Sequence, residues 1–144
     1  MRNYKFKKMS SEIKIVSVQD ILPIRHKVLW PDKPFEFVKV EGDKEGIHFG
    51  LYEDSILVTI ISLFAEGKSL RFRKFATLTE YQNRGLGKLM ILKVIDYAQE
   101  NNFERLWCDA RTDALKFYER VGFKKFSEPF FKENIEYYKI EKIL

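Results

Sequence analysis

Tyr81-Gln82-Asn83-Arg84-Gly85-Leu86-Gly87-Lys88 decides how this chain is read. The run before it, Leu70 to Leu78, reads as a strand, and the run from Gly85 to Asn101 reads as a helix. Its two glycines let backbone approach a ligand with no Cβ in the way and tolerate unusual dihedrals. Arg84 and Lys88 add positive charge where a helix N-terminus already points free N–H groups outward. Such a loop is equipped to hold a phosphate or pyrophosphate.

Two phosphate motifs fail against it. A Walker A loop ending on Gly87-Lys88 needs glycine where Gln82 stands and a hydroxyl residue where Leu89 stands. A dinucleotide fingerprint starting on Gly85 needs a small residue where Met90 stands. What remains is Gln-x-x-Gly-x-Gly, and its meaning depends on the flanking elements.

Working outward, Leu86, Met90, Ile91, Val94, Ile95, Tyr97 and Ala98 fall on one face of the helix, with Leu89 and Leu92 as exceptions on the polar side. Ile13 to Val18 reads as a first strand. Asp20 is the expected N-cap of a helix through Ile21, Ile24, Val28 and Leu29, with Pro23 in its first turn and Trp30-Pro31-Asp32-Lys33-Pro34 ending it. Ile47 to Tyr52 and Ile56 to Phe64 read as a hairpin turning at Glu53-Asp54, the second strand apolar on both faces and therefore central. Leu106 to Ala110 is a short strand. Thr112 or Asp113 then caps a helix carrying the stripe Ala114, Phe117, Tyr118 and Val121, which stops at Gly122-Phe123. Phe123 to Phe131 and Ile135 to Ile143 read as two closing strands.

The 144 residues suit one domain over 1–144, with 1–9 a flexible basic tail. The net charge of +5 is concentrated over residues 1–14, where Arg2, Lys5, Lys7, Lys8 and Lys14 face Glu12 alone, so a nucleic-acid-binding stripe is not expected. Cys108 is the single cysteine, which excludes an internal disulfide and fits a cytoplasmic protein. No apolar run is long enough for a membrane span.

The glycine motif, the segment from Ala114 to Phe123 and the order of elements together resemble the GNAT superfamily of acyl-CoA N-acyltransferases, most strongly over Leu70 to Phe123. The resemblance implies an α+β fold with a mixed, mostly antiparallel sheet flanked by helices. It implies a V-shaped splay between the strands ending near Thr77 and Ala110. It also implies acetyl-CoA as co-substrate, with pantetheine along the main chain of Phe75, Ala76 and Thr77. The pyrophosphate falls on Gln82, Asn83, Arg84, Gly85, Leu86, Gly87 and Lys88, with Thr112 and Phe117 nearby. Tyr118 is the implied proton donor to the leaving thiolate. Arg25 and Trp30 lie where an acceptor pocket is expected. Ala110-Arg111-Thr112 stands where the family often has an asparagine contact to coenzyme.

The activity so implied is acetyl transfer to a primary amine, on a small molecule or a peptide, by direct attack in a ternary complex. Neither nucleic acid, membrane nor metal takes part, and a homodimer is left open. The alternative is a coenzyme-binding regulatory module without turnover. No spacing singles out a general base among Glu36, Glu66 and Glu80. Cys108 reads as inert core, and His26 and His48 lack metal-ligand spacing. Arg71 and Arg73 share one strand face, read as a solvated edge sooner than as a contact for an acidic substrate.

Overall fold

The computed structural model describes residues 11–144, so the tail expected over 1–9 lies outside the described residues. Eight strands make one sheet: β1 (Ser11–Val16), β2 (Ile47–Glu53), β3 (Ile56–Glu66), β4 (Ser69–Thr77), β5 (Arg105–Arg111), β6 (Lys124–Lys125), β7 (Phe130–Lys132) and β8 (Ile135–Ile143). Their spatial order is β1-β2-β3-β4-β5-β8-β6, with β7 also on β8. Every pairing is antiparallel except β4 with β5. The helices are α1 (Val18–Ile24), α2 (Leu86–Glu100) and α3 (Leu115–Arg120). The fold is the α+β arrangement expected from the sequence.

Local chemistry accounts for the joints. The β2–β3 hairpin turns on Asp54 and Ser55, both at positive φ, the mirror-image turn that suits the twist of paired strands. Val58 to Leu63 is buried throughout, as a central strand requires. The first helix begins two residues before the expected cap: Ser17, not Asp20, is the N-cap, and its hydroxyl accepts from the Asp20 N–H at 3.3 Å. Pro23 therefore sits in the second turn. The helix then widens into a π-helical turn over Arg25–Leu29 before Trp30 ends it. Near the C-terminus the expected strand over Phe123 to Phe131 is two short ones. Pro129 cannot donate to a ladder, and the Ser127 hydroxyl takes over the Lys139 N–H at 2.9 Å.

Two cores sit on opposite faces of the sheet. On one, α2 buries Met90, Ile91, Val94 and Ala98 against Leu70, Phe72, Leu106 and Ile140, while Leu89 and Leu92 stay exposed as the sequence pattern implied. On the other, Ile21 and Ile24 of α1 meet Ile60 and Ala76. Arg25 closes this second side. Its side chain is fully buried and donates to Asp43 at 2.7 and 2.8 Å, to the Val38 carbonyl at 3.0 Å and to the Ser62 hydroxyl at 2.9 Å. His48 joins through Ser62 and the Asp43 carbonyl. Burial pushes the Asp43 carboxyl up, but hydrogen bonds from Arg25 and the Val40 N–H hold it below its ordinary value.

Arg25 is thus a structural clamp between α1, the 38–46 loop and β3, and its side chain, expected near an acceptor pocket, is fully buried. The Arg25→Met variant should lose about 3–5 kcal/mol, because Asp43 is left a largely buried charge without its partner. Urea unfolding monitored by circular dichroism measures this; a loss below about 1 kcal/mol contradicts the clamp.

Candidate active site

The β4–β5 ladder is short. Ser69, Leu70 and Arg71 pair with Arg105, Leu106 and Trp107, and there the pairing stops although both strands continue. Each is held on its far side, β4 by β3 as far as Thr77 and β5 by β8 as far as Arg111. A V-shaped opening results. Among the described residues, the backbone groups of β4 beyond Arg71 that face it have no partner strand, so an extended ligand can pair with them.

A bulge shapes one wall of the V. The β3–β4 register slips between Ile60 and Ser62, and the residue extruded is Lys74, at φ 57. The slip reverses the alternation of side chains. Before it, Leu70 and Phe72 face the α2 core; after it, Phe75 takes that side and Ala76 joins the α1 core. Phe75 consequently packs against Phe117 and Tyr118, with centroids 6.1 and 6.4 Å apart.

The glycine loop sits at the open end. Gly85 is the N-cap of α2 at φ 80 with no side-chain cap, which leaves first-turn N–H groups free for a ligand. Gly87 keeps space open: a Cβ there would stand 3.7 Å from both Phe75 and Phe117. Asn83 is also at positive φ. The Gln82 side chain donates to the Thr77 carbonyl at 2.9 Å and so braces the loop on the end of β4. Arg84 lies over Tyr81, 5.0 Å from the ring centroid, and donates to the Glu80 carbonyl at 3.1 Å. Lys88 is exposed in the first turn of α2. Thr112 is turned elsewhere, its hydroxyl held by Glu136 at 2.8 Å.

Inside the V lies a cleft of about 190 Å³ where the two faces of the sheet communicate. Tyr118, Phe75, Cys108 and Ala110 line it from the α3 side, and Trp30 and Leu29 from the α1 side. Tyr118 is fixed by its own carbonyl, which accepts from Val121 and Phe123 where α3 ends. Burial pushes the Tyr118 phenol and the Cys108 thiol well up, and the phenol is hydrogen-bonded to the thiol. Cys108 is therefore protonated and no thiolate nucleophile.

The cleft is also rich in cations that the sequence did not bring together: Arg71, Arg73, Lys74, Arg111 and Lys132, against one carboxylate, Asp109. Glu36 pairs with Lys39 and Glu66 accepts from Trp107; neither they nor Glu80 line the cleft. Asp109 is shared by Arg71 at 2.9 Å, Lys132 at 3.3 Å and Lys139 at 3.0 Å. Burial pushes its carboxyl up, and these cations more than reverse it, holding it below its ordinary value. The visible signal was the alternation of Arg71 and Arg73 with that of Trp107, Asp109 and Arg111. The bulge that adds Lys74 left no mark in the sequence.

Residues 32–144 match the acetyltransferase (GNAT) domain. The chain is 33% identical over 128 residues to YitI of Bacillus subtilis (strain 168), an uncharacterized N-acetyltransferase, covering 83% of this chain and 86% of the relative. Among solved structures it is similar to a GNAT family acetyltransferase from Elizabethkingia anophelis with acetyl-CoA bound, with TM-score 0.75, 16% identity, and 93% and 98% of the two chains covered. It is also similar to PaiA N-acetyltransferase from Thermoplasma acidophilum in complex with coenzyme A, with TM-score 0.70, 16% identity, and 94% and 100% covered. The chain belongs to the GNAT acetyltransferase family and is an acyltransferase.

Burial and the neighbouring charges of Arg73, Arg25, Lys132 and Arg111 bring Lys74 down from 10.5 to about 8, with Asp109 the carboxylate in the same cleft. The folded state thus binds this proton more weakly than the unfolded chain. The resulting penalty is full below pH 8 and fades as pH rises toward 10.5. Discounted for partial exposure, its relief in Lys74→Met should raise Tm by roughly 2–4 °C at pH 7, with the gap narrowing by pH 10. Thermal melts at the two pH values check this; an equal effect at both contradicts it.

Proposed function

We propose that the chain transfers an acetyl group from acetyl-CoA to a primary amine by direct attack in a ternary complex. The observation that carries this reading is the buried Tyr118 side chain lining the cleft where β4 and β5 part, beside an edge of β4 with no partner strand among the described residues. The co-substrate supplies an acetyl group activated as a thioester. The first-turn N–H groups of α2, with Arg84 and Lys88, suit its pyrophosphate. The edge of β4 from Phe75 to Thr77 suits the amides of its pantetheine arm.

The C–N bond forms as the C–S bond breaks, and the attacking nitrogen gives up one proton. To a main-chain N–H near Ala76 we assign the stabilisation of the carbonyl oxygen as negative charge builds on it. The Tyr118 hydroxyl donates its proton to the departing sulfur and recovers one from the nitrogen or from water. In the structure that hydroxyl rests on the Cys108 thiol, a weak acceptor that a better one can displace.

Replacing Tyr118 by Phe should lower kcat about 100-fold with little change in the KM for acetyl-CoA. Gly87→Trp, checked for folding by circular dichroism, should raise that KM at least about tenfold, because the side chain fills the space between Phe75 and Phe117. Free-thiol release measures both. Unchanged turnover in Tyr118→Phe removes the tyrosine from the chemistry, and coenzyme binding without release of the coenzyme thiol in the presence of any amine overturns the activity.

A further inference from the structure

The cations of the cleft are not arranged as a solvated edge. Arg73 and Lys74 are half-buried, and among the described residues neither has a hydrogen-bond or ion-pair partner. Arg71, beside them, is paired through one nitrogen to Asp109, while its Nε is buried without a hydrogen-bond partner. Arg111 spends one weak bond, at 3.4 Å, on the Leu29 carbonyl and lies over Trp30, 5.3 Å from the ring centroid. Lys132 shares Asp109 and lies 4.4 Å from the Tyr137 ring centroid. Five cations therefore surround a space whose one carboxylate is already divided among Arg71, Lys132 and Lys139.

Holding like charges half out of water is costly unless something of opposite sign completes the arrangement. Packing does not call for it, since the apolar walls are supplied by Leu29, Trp30, Phe72 and Tyr137. The coenzyme phosphates do not account for it either. Arg71 and Arg73 lie on the strand face opposite Leu70 and Phe72, which pack under α2, whereas the uncapped loop opens α2 itself.

Resting on the acetyltransferase reading above, we infer that the acceptor is a small primary amine that also carries an anion, carboxylate or phosphate, held by Arg73, Lys74 and Arg111 beside Tyr118. Guanidinium forks meet either oxyanion in a paired geometry, and a cleft of one sign concentrates such a substrate. The same field disfavours polyamines and other amines of purely positive charge.

The test compares matched amines at saturating acetyl-CoA: γ-aminobutyrate with n-butylamine, O-phosphoethanolamine with ethanolamine, and putrescine. The anionic member of at least one pair should show a kcat/KM at least about tenfold above its neutral partner, and the pair that responds distinguishes carboxylate from phosphate. Arg73→Gln should erase most of that preference through the KM of the amine while leaving the KM of acetyl-CoA within about twofold. Putrescine or the neutral amines acetylated as well as the anionic ones overturns the inference. So does an Arg73→Gln variant whose defect lies in acetyl-CoA binding.

A second measurement separates this inference from the activity it rests on. Titration of the coenzyme-loaded protein with inorganic phosphate and with succinate should show saturable binding that Arg73→Gln weakens at least about fivefold. Such binding without turnover of any amine supports the anion site and overturns the acetyltransferase reading. Turnover without anion binding or anionic preference does the reverse.

Discussion

The parallel ladder between β4 and β5 lasts three residues, and the rest of the site follows from its ending. Both strands are fully engaged on their outer sides, so neither can bend to rejoin the other. The gap is thus built into the hydrogen bonding of the sheet. It creates an unpaired strand edge in the middle of the molecule, where an edge is shielded from other chains yet open to a ligand. It also connects the two faces of the sheet, so that groups from α3 and groups from the α1 side meet in one space.

The bulge at Lys74 determines what each face contributes. One extruded residue reverses the alternation of β4, so Phe75 joins the aromatic group around Tyr118 and Ala76 packs against α1. The bulge leaves Lys74 in a backbone conformation uncommon for a residue with a Cβ. On the opposite side Arg25 fixes the loop and the helix that bring Leu29 and Trp30 to the cleft. Arg25 holds this scaffold, and its charge is also felt by Lys74 in the cleft.

The elements with strong periodicity were legible in the sequence. The α2 stripe, the two-faced apolar run of β3 and the glycine loop all follow from local pattern, because each is dictated by what its own residues can bury or bond. Boundaries set by a single polar group were less so. Ser17 displaced Asp20 as cap, and Ser127 with Pro129 divided a strand that looked continuous. Pairings at a distance left the least trace. Arg25 shows no sign in the sequence of its carboxylate eighteen residues on, and Lys74 gives no hint that it is a bulge. Arg71 and Arg73 were visible as a shared face, but the depth of that face depends on β5, β7 and the turn after α1. Thr112 was placed near the coenzyme by resemblance, and its hydroxyl donates to Glu136, a partner the sequence did not indicate.

The cation-rich cleft has a further chemical consequence. Burial first, and surrounding positive charge after it, make an ammonium a stronger acid, and Lys74, brought down to about 8, displays both effects in the protein itself. On the proposed reading, a guest amine held in the same surroundings would shed its proton more readily than it does in water, so its lone pair would be uncovered nearer neutrality. The lone carboxylate of the cleft, occupied by three cations, is a weakened proton acceptor. Deprotonation of the nucleophile can then be driven by its electrostatic setting, with water carrying the proton away.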